Sequence, residues 1–389
     1  MMSRRIGVVT GTRAEYGYLR PLMRKLMHSD GLELRVYASG MHLLKEYGDS
    51  IKEIERDGFK VAEVVDMGSK AMTSEYDLAI SIGKGVVGFS EAFKRDKPSI
   101  VVVFGDRIEP FAAAIAATAT NIPIAHIAGG GRGFGDIDHV LRHTITKMSH
   151  LHFTQTEQSR QRVLKLGEEG WRVYNTGSLT LDTILSTKLP SRSDFSEKYG
   201  IPAKPWILVV YHPTTTEWQD AKKQIAIVLD SVSEVAREEK TEIAVIYPND
   251  YPGGADMVDV IESFANEDAG VHIFRNLSHL DYIALLGLSS VFVGNSSSGI
   301  AEAPSLGIPY VCVGTRQKDR ERARNVIDVG YNGRDIVAAI KKALHDKAFL
   351  NIVAKRMSPY GDGTAAQQIV NVLSTVELDK KLIQKKITY

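Results

Sequence analysis

The chain has 389 residues, 43% of them hydrophobic, enough to bury a large core and more than one domain usually needs. Its 48 basic and 47 acidic side chains leave a formal charge of +1, which excludes a chain-wide pull toward nucleic acid or an anionic membrane; any polyanion site is local. One cysteine, Cys312, excludes an intrachain disulfide framework and sits in the apolar run YVCVG, where a buried strand thiol is expected.

The first apolar run, IGVVT, is too brief for a signal-peptide core. The longest small-apolar run, FAAAIAATAT, ends at Asn121 and Pro123, well short of a membrane span. The expectation is a soluble, cytoplasmic protein with no nucleic-acid and no membrane partner.

From the amino terminus, RIGVVT, ELRVYA, SIVVVFG, IPIAHIA and LHFTQT alternate with longer amphipathic stretches such as the one carrying Leu19, Leu22, Met23 and Leu26. Continuous β-branched runs alternating with a 3.6-residue period indicate parallel strands covered on both faces by helices. The Ser-, Pro- and charge-rich stretch STKLPSRSDFSEKYGIPAKP has no sustained apolar period and reads as a linker. The alternation resumes with WILVVYHP, EIAVIYP, VHIF, SVFVG and YVCVG. The predicted fold is α/β, with two Rossmann-like lobes and a central cleft, of the glycosyltransferase B-like kind. The first lobe covers 1–186, the linker 187–203, the second lobe 204–358, and a lysine-ended helix in 359–389 packs back on the first lobe.

Ligands of open parallel sheets lie at the carboxyl ends of the strands, so the loops after these runs hold the candidates. TGTRAEYGYL opens a helix with Arg13, either a ligand for a phosphate or acidic sugar group or a solvated arginine on a glycine turn. VVVFGDRIEP places Asp106 and Arg107 after a buried strand; Asp106 suits an acid/base role or a helix cap. VVYHPTTTE brings His212 to a strand end, as a phosphate contact, a proton carrier or a structural histidine. VIYPNDYPGG does the same with Asn249 and Asp250, a substrate contact or an Asx turn.

VFVGNSSSGIAEAPSLG is the most informative stretch of the second lobe. Ser296, Ser297 and Ser298 between two glycines open a helix, where amides and hydroxyls together bind phosphate, and Glu302 on that helix suits two ribose hydroxyls. Capping alone explains one serine, not three. Neither GxGxxG nor GxxxxGK[ST] occurs, which argues against a dinucleotide fingerprint and a P-loop.

The segments GTRAEYG, FGDR, IDHVLRHTITKMSH, HPTTTE, YPND, GNSSSGIAEAPSLGIP, GTRQ and YGDG, in this order, resemble the hydrolysing UDP-N-acetylglucosamine 2-epimerases of sialic acid biosynthesis. The resemblance implies that Arg13, Ser296, Ser297, Glu302 and Arg316 contact UDP, that Arg107 and His212 lie near its diphosphate, and that Asp106 and Asp138 lie beside the sugar. It implies elimination to a 2-acetamidoglucal and rehydration, giving UDP and N-acetylmannosamine, with no metal or redox cofactor. It also implies a homo-oligomer, dimer or tetramer.

The family pattern reads His-Ile-x-Gly-Gly-Glu where this chain reads HIAGGG, so Gly131 stands in place of an acid/base glutamate. Three explanations follow from this. Asp136, or the Asp138 and His139 pair, supplies the missing group; the pocket takes a UDP-2,4-diacetamido-trideoxy sugar whose altered substituent Arg132 reads; or the chain binds nucleotide sugars without turnover. Arg142 and His143, on the following amphipathic helix, read as packing or a helix-end ion pair unless the site recruits them.

Overall fold

The structure, a computed structural model, describes residues 3–43, 50–68, 75–132, 137–214, 217–248, 253–275 and 277–389. The chain divides into two compact units, Met1–Thr183 with Tyr360–Tyr389, and Ile184–Pro359.

Unit 1 is built on seven parallel strands: β1 Arg4–Thr10, β2 Leu32–Ser39, β3 Val61–Val65, β4 Ile100–Phe104, β5 Ile124–Ile127, β6 Leu151–Thr154 and β7 Val173–Asn175. They lie in the order β3-β2-β1-β4-β5-β6-β7. The central strands are apolar throughout because helices cover both faces. One face carries Leu19, Leu22 and Leu26 of the helix Arg13–Met27 with Ile369 and Leu373 of the helix Ala365–Thr375. The other carries Phe89 and Phe93 of the helix Glu75–Asp96 and the alanine-rich helix Ile108–Ala119, whose small side chains admit close packing.

Three polar anchors fix the last thirty residues to unit 1. The Asp182 carboxylate accepts the N–H groups of Ala365 and Ala366 at 3.0 and 2.8 Å, capping their helix. Arg172, fully buried, donates to the carbonyls of Leu382 and Lys381 at 2.7 and 2.6 Å. Lys385 pairs with buried Glu168 at 2.7 Å.

Unit 2 repeats the plan with six parallel strands: β8 Trp206–Val210, β9 Glu242–Ile246, β10 Val271–Phe274, β11 Val291–Gly294, β12 Tyr310–Val313 and β13 Val326–Val329. Their order is β10-β9-β8-β11-β12-β13. Cys312 is buried on β12, where desolvation pushes its thiol up to about 11 and leaves it unreactive at neutral pH.

The stretch read as a linker is more ordered than its composition indicates. Residues Arg192–Tyr199 form a helix with a capping box between Ser191 and Asp194, ended by Gly200 at φ +65°. Phe195 against Trp206 and Phe274, with Tyr199 against Phe274, holds it in place, and two anchors one turn apart are too short a pattern to stand out in a charged sequence. Among the described residues no helix is long and apolar enough to cross a membrane.

In each sheet the first strand has neighbours on both sides whose connections run in opposite directions. The switch points therefore lie between β1 and β4 in unit 1 and between β8 and β11 in unit 2.

Candidate functional site

At the switch point of unit 1, β1 runs into Gly11-Thr12-Arg13 and β4 into Gly105-Asp106-Arg107, with Gly105 turning the chain at φ +70°. Asp106 forms an ion pair with Arg142 from the helix Ile137–Met148, and both side chains are less than one-fifth exposed. Arg142 also donates to the carbonyl of Gly131 at 3.3 Å. One guanidinium thus fixes the carboxylate after β4 and the glycine loop after β5. Arg142, expected as packing or a helix-end ion pair, instead pairs with a carboxylate from a strand end distant in sequence.

Beside them Arg107 pairs through Nε with Glu109 at 3.2 Å. Glu109 is 2% exposed and fills space that any side chain at Gly11 or Gly40 would occupy. The Gly11 N–H donates to Glu15 at 2.6 Å, while the other Glu15 oxygen is buried without a hydrogen-bond partner. Burial and the neighbouring Glu109 push Glu15 up to about 8, against the Gly11 bond and the Arg107 charge, so at neutral pH Glu15 carries a proton. Burial opposes the Arg107 charge, and the carboxylates of Glu109, Glu15 and Asp138 outweigh it and raise its pKa. Arg107 and Asp138 therefore share one electrostatic neighbourhood.

Two of the three glycines after β5 are required by their surroundings, and the third is not. Ala128 ahead of them is already left-handed at φ +67°, uncommon for a residue with a side chain. A Cβ at Gly129 would press on His126 Nδ1 and Thr146 Oγ1 at 2.9 and 3.0 Å, and one at Gly130, itself at φ +76°, would strike the Ser159 carbonyl. Gly131 has neither constraint: its nearest neighbour would be Arg142 Nη1 at 3.6 Å, ordinary contact. His126 is structural, fully buried, donating from Nε2 to the Gly105 carbonyl at 2.7 Å with Nδ1 3.2 Å from Thr146. Burial lowers its pKa to about 3.

At the switch point of unit 2 the groups are mostly neutral. Gly294, at φ +146°, ends β11 so close to β8 that a Cβ would run into the Val210 carbonyl. The next residue, Asn295, is 1% exposed. Its side-chain oxygen accepts the His212 N–H at 2.7 Å and its side-chain amide donates to the His212 carbonyl at 2.8 Å. Its own carbonyl accepts Arg316 Nη1 at 3.0 Å and Gln317 Nε2 at 2.8 Å. Desolvation, with Arg316 nearby, lowers His212 to about 3, so its imidazole is neutral at pH 7.

The expected single helix behind the serines is two short ones, Ser298–Ala301 and Ala303–Leu306, with Glu302 between them. Pro304 lacks the N–H that a continuous helix needs. A four-residue helix adds little dipole, so phosphate affinity there rests on individual amides and hydroxyls rather than on a long helix. Glu302 is 7% exposed, and its Oε2 has no hydrogen-bond partner. Burial pushes its carboxyl up to about 7 against the pull of Arg320, an environment that favours neutral hydroxyl donors.

A family profile described as UDP-N-acetylglucosamine 2-epimerase matches residues 24–374. The chain belongs to the UDP-N-acetylglucosamine 2-epimerase family. It is 36% identical, over the whole of both chains, to the UDP-N,N'-diacetylbacillosamine 2-epimerase (hydrolyzing) of Legionella pneumophila. It is 34% identical to the polysialic acid biosynthesis protein P7 of Escherichia coli, over 95% of this chain and 93% of that one. Among solved structures, the UDP-GlcNAc 2-epimerase from Neisseria meningitidis bound to UDP-GlcNAc matches with a TM-score of 0.80 at 21% identity, covering 96% of this chain and 100% of that one. The epimerase fold, two Rossmann-like lobes of the GT-B-like kind, is thus the fold of this chain.

Within this chain the expected residues fall into two groups. Asp106, Arg107 and Asp138 gather in unit 1, and His212, Ser296, Ser297, Glu302 and Arg316 in unit 2. Arg13 stands at the start of its helix, half exposed, and pairs with Glu53 at 2.8 Å. Asp136, Asn249 and Asp250 lie outside the described residues. Sequence reasoning missed Glu15 and Glu109 altogether; two glutamates in the first turns of helices read as ordinary helix-start acids.

Proposed function

We propose that this epimerase is a hydrolysing 2-epimerase of a UDP-2-acetamido sugar, releasing UDP and the free 2-epimeric sugar. The observation that carries the proposal is Asp106 at the end of β4, a carboxylate oriented by Arg142 and adjoining the Arg107 and Asp138 charges. The C2 proton beside the acetamido group is only weakly acidic, so its removal needs a positioned carboxylate, and Asp106 takes that role. Asp138 is the second carboxylate and, in the absence of the family glutamate, with or without Asp136, serves the return of a proton when water adds.

Departure of UDP leaves charge on the diphosphate; Arg316 is proposed to neutralise it and His212, a neutral imidazole, to donate a single N–H to it, and the resemblance assigns Arg107 to the diphosphate as well. Ser296 and Ser297 add amide and hydroxyl donors, Glu302 receives ribose hydroxyls on its unpartnered oxygen, and Arg13 exchanges Glu53 for a phosphate or acidic substituent. Asn249 completes the substrate contacts. Elimination gives a 2-acetamidoglucal, and water adds to the opposite configuration at C2. The chemistry requires no metal or redox cofactor.

UDP-N-acetylglucosamine, giving N-acetylmannosamine, is one substrate of this class. Gly131 favours a second, a UDP-2,4-diacetamido-trideoxy sugar: the family glutamate is missing beside Arg142, and a Cβ there would make only ordinary contact. The Legionella relative, which matches over its whole length, is named for a sugar of that kind. Ion-exchange chromatography after incubation with each sugar tests the reading. UDP release from the diacetamido sugar at least tenfold faster than from UDP-N-acetylglucosamine supports it, the reverse order restores UDP-N-acetylglucosamine, and release from neither leaves a binder.

The reading includes a homo-oligomer. Tyr76, Ile80 and Val87, exposed by 79%, 56% and 60% on one face of the helix Glu75–Asp96, supply an apolar stripe that supports self-association. Light scattering on the purified protein distinguishes monomer from dimer or tetramer.

A further inference from the structure

The unit 2 half-site is carried by three separate loops, after β8, β11 and β12, and two side chains outside the expected contact set tie these loops together. Asn295 grips the His212 backbone on both its N–H and its carbonyl while Arg316 and Gln317 grip the Asn295 carbonyl. Glu217, at the end of the HPTTTE loop, closes a turn on the Thr214 carbonyl at 2.8 Å. Its carboxylate accepts the hydroxyl of Thr315, the residue before Arg316, at 2.5 Å, that of Tyr331 at 2.5 Å, and the Gln224 amide at 3.0 Å. Tyr331 in turn lies over Gly314, where any side chain would collide with it.

We propose that Asn295 and Glu217 are positioning residues that assemble His212, Ser296 and Arg316 into a diphosphate-binding constellation before the nucleotide arrives. Three loops ordered in advance spare the ligand the entropy of fixing them, so their ties are worth affinity although neither residue reaches the nucleotide. The Glu217 carboxylate is taken up by hydroxyl and amide donors.

The inference rests on the proposed UDP site, and the test separates the two. UDP and uridine are titrated by calorimetry and ligand-observed NMR into the wild type, Asn295→Ala and Glu217→Gln, with circular dichroism confirming that each is folded. Glu217→Gln, at a partly exposed position, carries the test if Asn295→Ala does not fold. UDP affinity lower by about tenfold in the variants, with uridine affinity within about twofold of wild type, supports the inference, because loss of hydrogen-bond ties acts on the phosphate loops alone. A wild type that does not bind UDP overturns the site itself. Variants that bind UDP as the wild type does, or that lose UDP and uridine in parallel, overturn the positioning role and leave the site standing.

Discussion

At the switch point of unit 1 the groups that meet are charged: Asp106 with Arg142, Arg107 with Glu109, and a protonated Glu15 beneath them. At the switch point of unit 2, reached by the same strand order, Asn295 holds His212 and Arg316 through neutral amide and carbonyl groups. The same sheet topology thus supports two kinds of site. Oriented charges suit proton transfer, where the ionised form must sit at one place, and hydrogen-bonded loops suit a ligand gripped by several donors at once. On the proposed function, the acid/base groups lie in the first unit and most of the nucleotide contacts in the second.

Asp106→Asn breaks the comparison most sharply if it fails. Turnover is expected to fall by about 10³-fold or more, the scale of losing a positioned base, while UDP affinity, to which Asp106 is not assigned, stays within about twofold. Equal losses in both would mean that the division of labour is wrong. Arg142→Ala is expected to lower kcat by about 10²-fold through a misplaced Asp106, and Arg142→Lys to recover only part, since a lysine cannot hold the carboxylate and the Gly131 carbonyl with one planar group.

Gly131→Glu tests the substrate reading. The backbone there is not left-handed and the nearest contact is ordinary, so the variant folds. Relative kcat/KM is expected to swing by about tenfold toward UDP-N-acetylglucosamine, the scale of filling a pocket with a side chain of matching size. An unchanged preference would detach Gly131 from specificity.

The smallest effects concern pH, and they too divide between the units. In unit 1, burial lowers His126 to about 3 and His42 and His150 to about 4, each below the 6.5 of an unfolded chain. Below about pH 6.5 the unfolded state takes up protons that these folded sites refuse, so stability falls as the pH drops toward 4. Glu15 acts in the opposite direction. Its folded value of about 8 lies above its unfolded 4.5, so its contribution is complete below 4.5 and lost as pH rises through 8. Glu15→Gln is therefore expected to melt with the wild type at pH 4.5 and about 2–4 °C above it at pH 8.5, read by differential scanning calorimetry. In unit 2, His212 is lowered and Glu302 raised by burial, independently of Glu15.

Much of this was written locally in the sequence. Buried parallel strands are continuous apolar runs, and Asp106, His212 and Asn295 each follow one within two residues, so strand ends and site candidates were legible together. The glycines were legible as glycines, but their causes were not: Gly129 answers to His126 and Thr146, Gly130 to Ser159, Gly299 to the Tyr310 ring. Arg142, Glu15 and Glu109 were illegible because their partners are chosen by tertiary packing, and an arginine on an amphipathic helix carries no mark of the carboxylate it will meet. The break at Glu302 was visible in Pro304, two residues on, and the serines drew attention away from it.

Proton NMR of the purified protein with its UDP-acetamido sugar in heavy water tests the central claim most directly. The account predicts release of UDP together with a free, 2-epimeric sugar carrying deuterium at C2. Deuterium at C2 of a sugar still joined to UDP would contradict hydrolysis while keeping the epimerase chemistry, and protium retained at C2 with UDP released would contradict the elimination itself.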